Sequence, residues 1–188
     1  MTDYPRPTTL QEAALKYGTF MGLFWTLKFA LVPMGFHSPS LHLLYIVFTL
    51  FVPVLGYLYA RNYRRQLPHQ ALRFSEGFLF AFIMYMAATM LTFLVHYVYF
   101  RYVDNGFLVE AYRAQMESAR DMAQGEMIAL FDESLKVFEE LADWTPVERS
   151  FWLAWQNLFY CFPLSLITAL CVRSKGMDTG SGQPPITH

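Results

Sequence analysis

FSEGFLFAFIMYMAATMLTFLVHYVYF, residues 74–100, decides the fold class. Glu76 is its one charged residue, at the start, and His96 is its one histidine, near the end. The rest is Phe, Leu, Met, Tyr, Ala and other weakly polar residues, over more than the ~20 residues a helix needs to cross a bilayer. The apolar residues show none of the period-2 alternation of a membrane barrel strand, so the stretch reads as a helix. Outward from it lie three runs of the same kind, at about 13–34, 41–60 and 146–172. The whole chain of 188 residues is 55% hydrophobic and 15% charged, against roughly 45–50% and about 25% in an ordinary soluble domain. An ordinary soluble enzyme, a nucleic-acid binder and a disulfide-stapled secreted domain are excluded. The expectation is an all-α membrane protein with four transmembrane helices in one domain, residues 13–175. An arm, 1–12, precedes it, and a Gly/Pro/Ser-rich tail, 176–188, follows and is expected to be flexible. The first run is longer than a signal core and no small-x-small cleavage site precedes Ser38, so it is expected to stay attached as the first span.

Orientation follows from the basic residues of the connections. Arg61, Arg64, Arg65 and Arg73 fill the loop between the second and third spans, with no acid before Glu76. Arg6 and Lys16 lie toward the N-terminus, and Arg173 and Lys175 follow the last span. Residues 101–149 hold five basic and eleven acidic side chains, 5 − 11 = −6. Both termini and the arginine loop are therefore expected in the cytoplasm and the acidic segment outside. The arginines read as topology determinants that would also attract anionic lipid headgroups.

Within that acidic segment, residues 104–143 explain why the mean hydropathy is only +0.26. Leu108, Tyr112, Met116, Ala119, Ala123, Met127, Leu130, Leu135 and Phe138 recur at helical steps. Gly125 marks a break, leaving open one bent helix or a hairpin, after a cap and turn at Asp104–Asn105–Gly106. The apolar stripe has three readings: packing on the protein's own outer face, docking of a second copy or another membrane protein, and contact with lipid headgroups. Net acidity argues against tight adsorption to anionic lipid.

Phosphate loops, metal-binding His/Glu and Cys-x-x-Cys motifs and nucleophile elbows are absent from the sequence. No catalytic residue, metal ligand or cofactor site is assigned. What remains are polar groups at membrane depth, functional candidates by default. Lys28 is the sharpest: either its stem snorkels to the outer headgroups, or it pairs inside the bundle with His96, Glu148, Gln156 or Asn157. His96 continues a face through Gly77, Ala81, Tyr85, Ala88 and Thr92 and is expected to point inward, as a satisfied core histidine or a proton-transfer group. Gly18 and Gly22 centre a small-residue stripe on the first span suited to close helix packing or a dimer seam. Pro53 and Pro163 are expected to kink the second and fourth spans. Glu76 is expected to pair with Arg73. Cys161 and Cys171, ~15 Å apart on one helix, are too distant for a disulfide and are expected to be buried.

Three features together resemble the domain of unknown function 4199 family, small bacterial membrane proteins common in Bacteroidota. The basic loop runs into Phe74–Ser75–Glu76–Gly77–Phe78. The third span leaves through Tyr102–Val103–Asp104–Asn105–Gly106–Phe107, with Asn105 in the proline position of an Asp-Pro-x-Phe pattern. A charged helical insertion then returns through Pro146. The resemblance runs from Lys16–Tyr17–Gly18 to Val172 and implies architecture and compartment, with no activity and no catalytic residue to carry over.

The function favoured by the sequence is a structural or interaction protein that uses its acidic external helix to pack or dock a partner. The alternatives are a small oligomeric carrier with a polar path near Lys28, His96 and Gln156, and a lipid-acting membrane enzyme. Convergence of the polar residues on a cavity discriminates between them.

Overall fold

The computed structural model describes residues 9–67 and 71–173, and within them the chain is entirely helical. The expected arm up to residue 8 and the tail 176–188 lie outside the described residues. Six helices follow in order: α1 Leu10–Gly35, α2 Pro39–Gln66, α3 Phe74–Tyr102, α4 Phe107–Met122, α5 Met127–Asp143 and α6 Pro146–Val172. Each long helix begins where local chemistry supplies a start. Thr9 caps α1 in a reciprocal box with Glu12, and Thr145 caps α6 in the same way with Glu148. Pro39 and Pro146 occupy first-turn positions, where their missing N–H costs nothing. Glu76 accepts from the Arg73 backbone N–H at 3.0 Å; it caps α3 and forms no ion pair with the Arg73 side chain.

Three helices are long and apolar enough to cross a membrane: α2, α3 and α6, with mean hydropathies of 2.1, 2.2 and 1.3. α1 has the length but not the hydropathy. Its packing is nonetheless that of a full bundle member. α3 lies between α1 and α6, and α2 closes the bundle against the same two helices. The small residues explain the closeness of α1 and α3. A Cβ on Gly18 would stand 2.7 Å from the Ala87 Cβ and the Met84 carbonyl oxygen, and one on Gly22 would stand 2.8 Å from Leu91 Cδ2. Of the two readings of the stripe, close helix packing and a dimer seam, the helix packing is made within the chain, against α3. Gly77 admits Val172 and Ala169 of α6, and Ala81 and Ala88 are fully buried. Aromatic rings fill the spaces the small residues leave: Phe80 lies between Tyr63 and Tyr17, at 4.7 and 6.0 Å between ring centres.

α4 and α5 form a hairpin, turning at Gly125 with φ 63°. An ion pair between Arg120 and Asp132 joins the two helices. The hairpin meets the bundle through rings, Phe36 against Tyr112 at 4.8 Å and against Phe107 at 6.2 Å. Its two feet are fastened together. Asp104, fully buried, accepts from the Gly106 and Leu108 backbone N–H groups and stands 3.7 Å from Arg149. Arg149 in turn donates to the Leu141 and Ala142 carbonyls at the end of α5. One correction concerns the cysteines: Cys161 is buried as expected, but Cys171 is exposed on α6.

Candidate functional site

α3 leaves the arginine loop and arrives at the hairpin, so these two features lie at opposite ends of the bundle. At the hairpin end the helices enclose a cavity of about 650 Å³ to which all six contribute side chains. α1 supplies Trp25 and Lys28, α2 supplies Tyr45, Thr49 and Pro53, and α3 supplies Thr92 and His96. Gln156, Asn157, Tyr160 and Leu164 come from α6. The hairpin forms a roof of Leu108, Tyr112, Phe138 and Leu141. Tyr112 stacks on Phe138 at 6.0 Å, and burial pushes its phenol up, so the roof presents neutral surface.

Four of the five polar residues singled out in the sequence therefore meet in one place. Lys28 lies seven residues before the end of α1, His96 six before the end of α3 and Asn157 eleven after the start of α6. At 1.5 Å per residue these are depths of ~10, ~9 and ~16 Å below the hairpin end. Glu148 is not brought there. Its carboxylate accepts from the Thr145 backbone N–H at 2.7 Å and the Thr145 hydroxyl at 2.8 Å. Glu148, one of the four pairing candidates for Lys28, is thus used in a helix cap, and Arg149 reaches the cavity in its place.

Among the described residues Lys28 has no ion pair. Its Nζ lies over aromatic faces instead, 5.4 Å from the centre of Tyr45 and 6.0 Å from Trp25. Each such contact is worth ~0.5–2 kcal/mol, well short of a paired carboxylate in a site removed from water. Two further groups are left unsatisfied on the same walls. The Nδ1 of His96 and the Nε1 of Trp25 are buried with no hydrogen-bond partner. The His96 ring is held edge-on against Phe29 at 4.2 Å. The reading of His96 as an inward-facing residue agrees with its 4% exposure; the satisfied-histidine reading does not fit its unpaired nitrogen. No carboxylate lines the cavity at all. Sequence reasoning missed Trp25, whose indole looks like core filling until its nitrogen is seen to lack an acceptor.

The arginine end is closed by contrast. Arg64 donates to the Val172 carbonyl at 2.9 Å, tying the end of α2 to the end of α6. The Tyr85 hydroxyl meets Thr168 Oγ1 at 3.3 Å and leaves room for nothing larger than glycine at position 56. Arg61, Arg65 and Arg73 are partly or fully exposed around this end. Among the described residues no group of His, Cys, Asp and Glu side chains could hold a metal ion.

A family model described as Protein of unknown function (DUF4199) matches residues 16–174, most of the chain. No curated protein and no solved structure matches.

Proposed function

We propose that the chain, which belongs to the DUF4199 family, is a four-span inner-membrane protein that binds a small ligand in the cavity beneath its α4–α5 hairpin. α1 is the fourth span in this reading. Its 26 residues measure ~39 Å, enough for the ~30 Å hydrocarbon layer. Its lower hydropathy stems largely from Lys28, whose charge faces the cavity. The basic loop lies in the cytoplasm with both termini, and the hairpin, with its −6 surroundings, lies outside.

The observation that carries the binding reading is the set of unmatched polar groups on one wall system: the Lys28 ammonium, the Trp25 Nε1 donor and His96 Nδ1. Buried polar groups are nearly always satisfied, and a cavity of a few hundred Å³ with a few convergent polar groups is the usual form of a ligand site. The test is purification in mild detergent with mass spectrometry of co-purifying small molecules, for wild type and for Leu153→Trp, which fills the cavity. Wild type should carry a small molecule that Leu153→Trp loses while still melting cooperatively. Identical small-molecule content in the two proteins would exclude the cavity as the site.

A second reading, docking of a partner protein on the hairpin, is favoured by the exposure of Met122, Met127 and Leu130 near its tip, at 79%, 54% and 63%. Crosslinking from Met127→Cys or Leu130→Cys to a second chain in native membranes would support it, and protection of both within a monomer would remove it. No hydrogen bond joins two cavity side chains among the described residues, so no preformed nucleophile–base pair supports the lipid-acting enzyme reading.

A further inference from the structure

The cavity wall is banded. At the hairpin end it is mostly apolar, under Leu108, Phe138 and Leu141, with the Arg149 guanidinium beside them. A middle band holds Lys28, His96, Trp25, Gln156 and Asn157, and a deeper apolar stretch runs along Val52, Pro53 and Leu164 toward the arginine end. The middle band is rich in donors, carries a cation and has no carboxylate. Arg149, the other cation on the wall, is already matched by Asp104. Whatever occupies the band must therefore bring acceptor oxygens and negative charge. The direction of access is legible too. Thr49 on α2 and Trp152, Gln156 and Tyr160 on α6 line the cavity and are exposed. Among the described residues the two helices are tied toward the arginine end by Arg64 to Val172 and at the Gly56–Thr168 approach. The cavity thus opens sideways between α2 and α6, while the hairpin roofs it from the aqueous side.

We propose that the cavity holds an anionic lipid drawn sideways from the bilayer. Its headgroup phosphate lies at Lys28 among the Trp25, His96, Gln156 and Asn157 donors, and its acyl chain runs along Val52, Pro53 and Leu164 and out between α2 and α6. This rests on the ligand-binding reading above and adds the ligand class and the route. A soluble anion would need a path through the apolar roof. A lipid without a phosphate would leave the Lys28 charge unmatched, and a zwitterionic one would bring a further cation to a wall that holds Lys28 and Arg149 and no carboxylate.

The experiment is native mass spectrometry of the full-length protein in mild detergent. Three probes are added in turn: phosphatidylglycerol, phosphatidylcholine with the same chains, and glycerol 3-phosphate. The expected result is one tightly held phosphatidylglycerol per chain, bound about 10–100-fold more strongly than phosphatidylcholine, the range of one hydrogen bond to a charged group. Lys28→Met should bring phosphatidylglycerol down to the phosphatidylcholine level, and Lys28→Arg should restore the preference. Should Lys28→Met fail to fold, Lys28→Gln provides the same comparison. Arg61→Gln with Arg65→Gln, which removes cations only at the arginine end, should keep the single tight lipid. Equal binding of the two lipids, unchanged by the loss of Lys28, would overturn the anionic-lipid inference while leaving a ligand-binding cavity. Binding of glycerol 3-phosphate as strong as that of the lipid would overturn the lipid source, and loss of the tight lipid in the Arg61/Arg65 variant would overturn the location. Failure of every probe, with no co-purifying molecule sensitive to Leu153→Trp, would remove the binding reading itself.

Discussion

Asp104 is fully buried and Arg149 partly so, and each faces the other while also serving backbone groups. Removing one partner of such a pair leaves an uncompensated charge, typically at ~3–5 kcal/mol. Asp104→Ala should therefore lower bundle stability by about that amount in detergent-based chemical denaturation. The double variant Asp104→Ala/Arg149→Met should recover a large part of the loss, and equal losses in the single and double variants would deny the coupling. Sequence legibility at this scale was uneven for a physical reason. Asp104 was readable as a cap because its N–H partners are two and four residues away. Arg149 appeared only in a charge count, because its partner is distant in sequence. Lys28 stood out as a cation in an apolar run, yet Glu148, the one carboxylate among its candidate partners, is claimed by a local box with Thr145, a nearer competitor than any residue across the bundle.

Two glycines set different properties of the helices. Gly22 on α1 is a point of close approach: a side chain there meets Leu91 and the Ala88 backbone, so Gly22→Val should separate α1 from α3 and cost on the order of 1–3 kcal/mol of bundle stability. Gly125 makes a turn at φ 63° with open space around it. Gly125→Ala should cost ~1 kcal/mol through the left-handed backbone alone. That change should raise protease sensitivity within 107–143 and leave the bundle's melting temperature unaltered. A fall in melting temperature as large as that of Gly22→Val would contradict this separation. The helices themselves were legible because hydrophobic runs, caps and prolines are local signals. Which neighbour the Gly18/Gly22 stripe would face was not. A small-residue stripe fits a partner chain and the chain's own third span equally well, and here α3 occupies it.

For the whole molecule, the unequal charge at the two ends predicts a fixed topology. With Cys161 and Cys171 replaced by alanine, Ser118→Cys on the hairpin should react with an impermeant maleimide in intact cells, and Arg65→Cys only after the membrane is opened. Reversed reactivity would invert the proposed orientation. The cavity itself was only half visible in the sequence. Depth along each helix is arithmetic, so Lys28, His96, Gln156 and Asn157 could all be placed in the half of the bundle nearer the hairpin. The roof could not be foreseen, since an amphipathic stripe does not say which surface it covers.

The clasp between Asp104 and Arg149 also makes the acidic hairpin modular. A long excursion whose two feet meet encloses a closed loop, and the entropy of closing such a loop varies only slowly with its length. The segment between the feet is therefore exchangeable. Replacing residues 107–143 by a short glycine-serine bridge should leave the four long helices paired and the protein inserted, while exposing the cavity to water. Such a chain would separate what the membrane-embedded part binds from what its external cover admits. It would also let members of this architecture vary the cover without rebuilding the barrel of helices below.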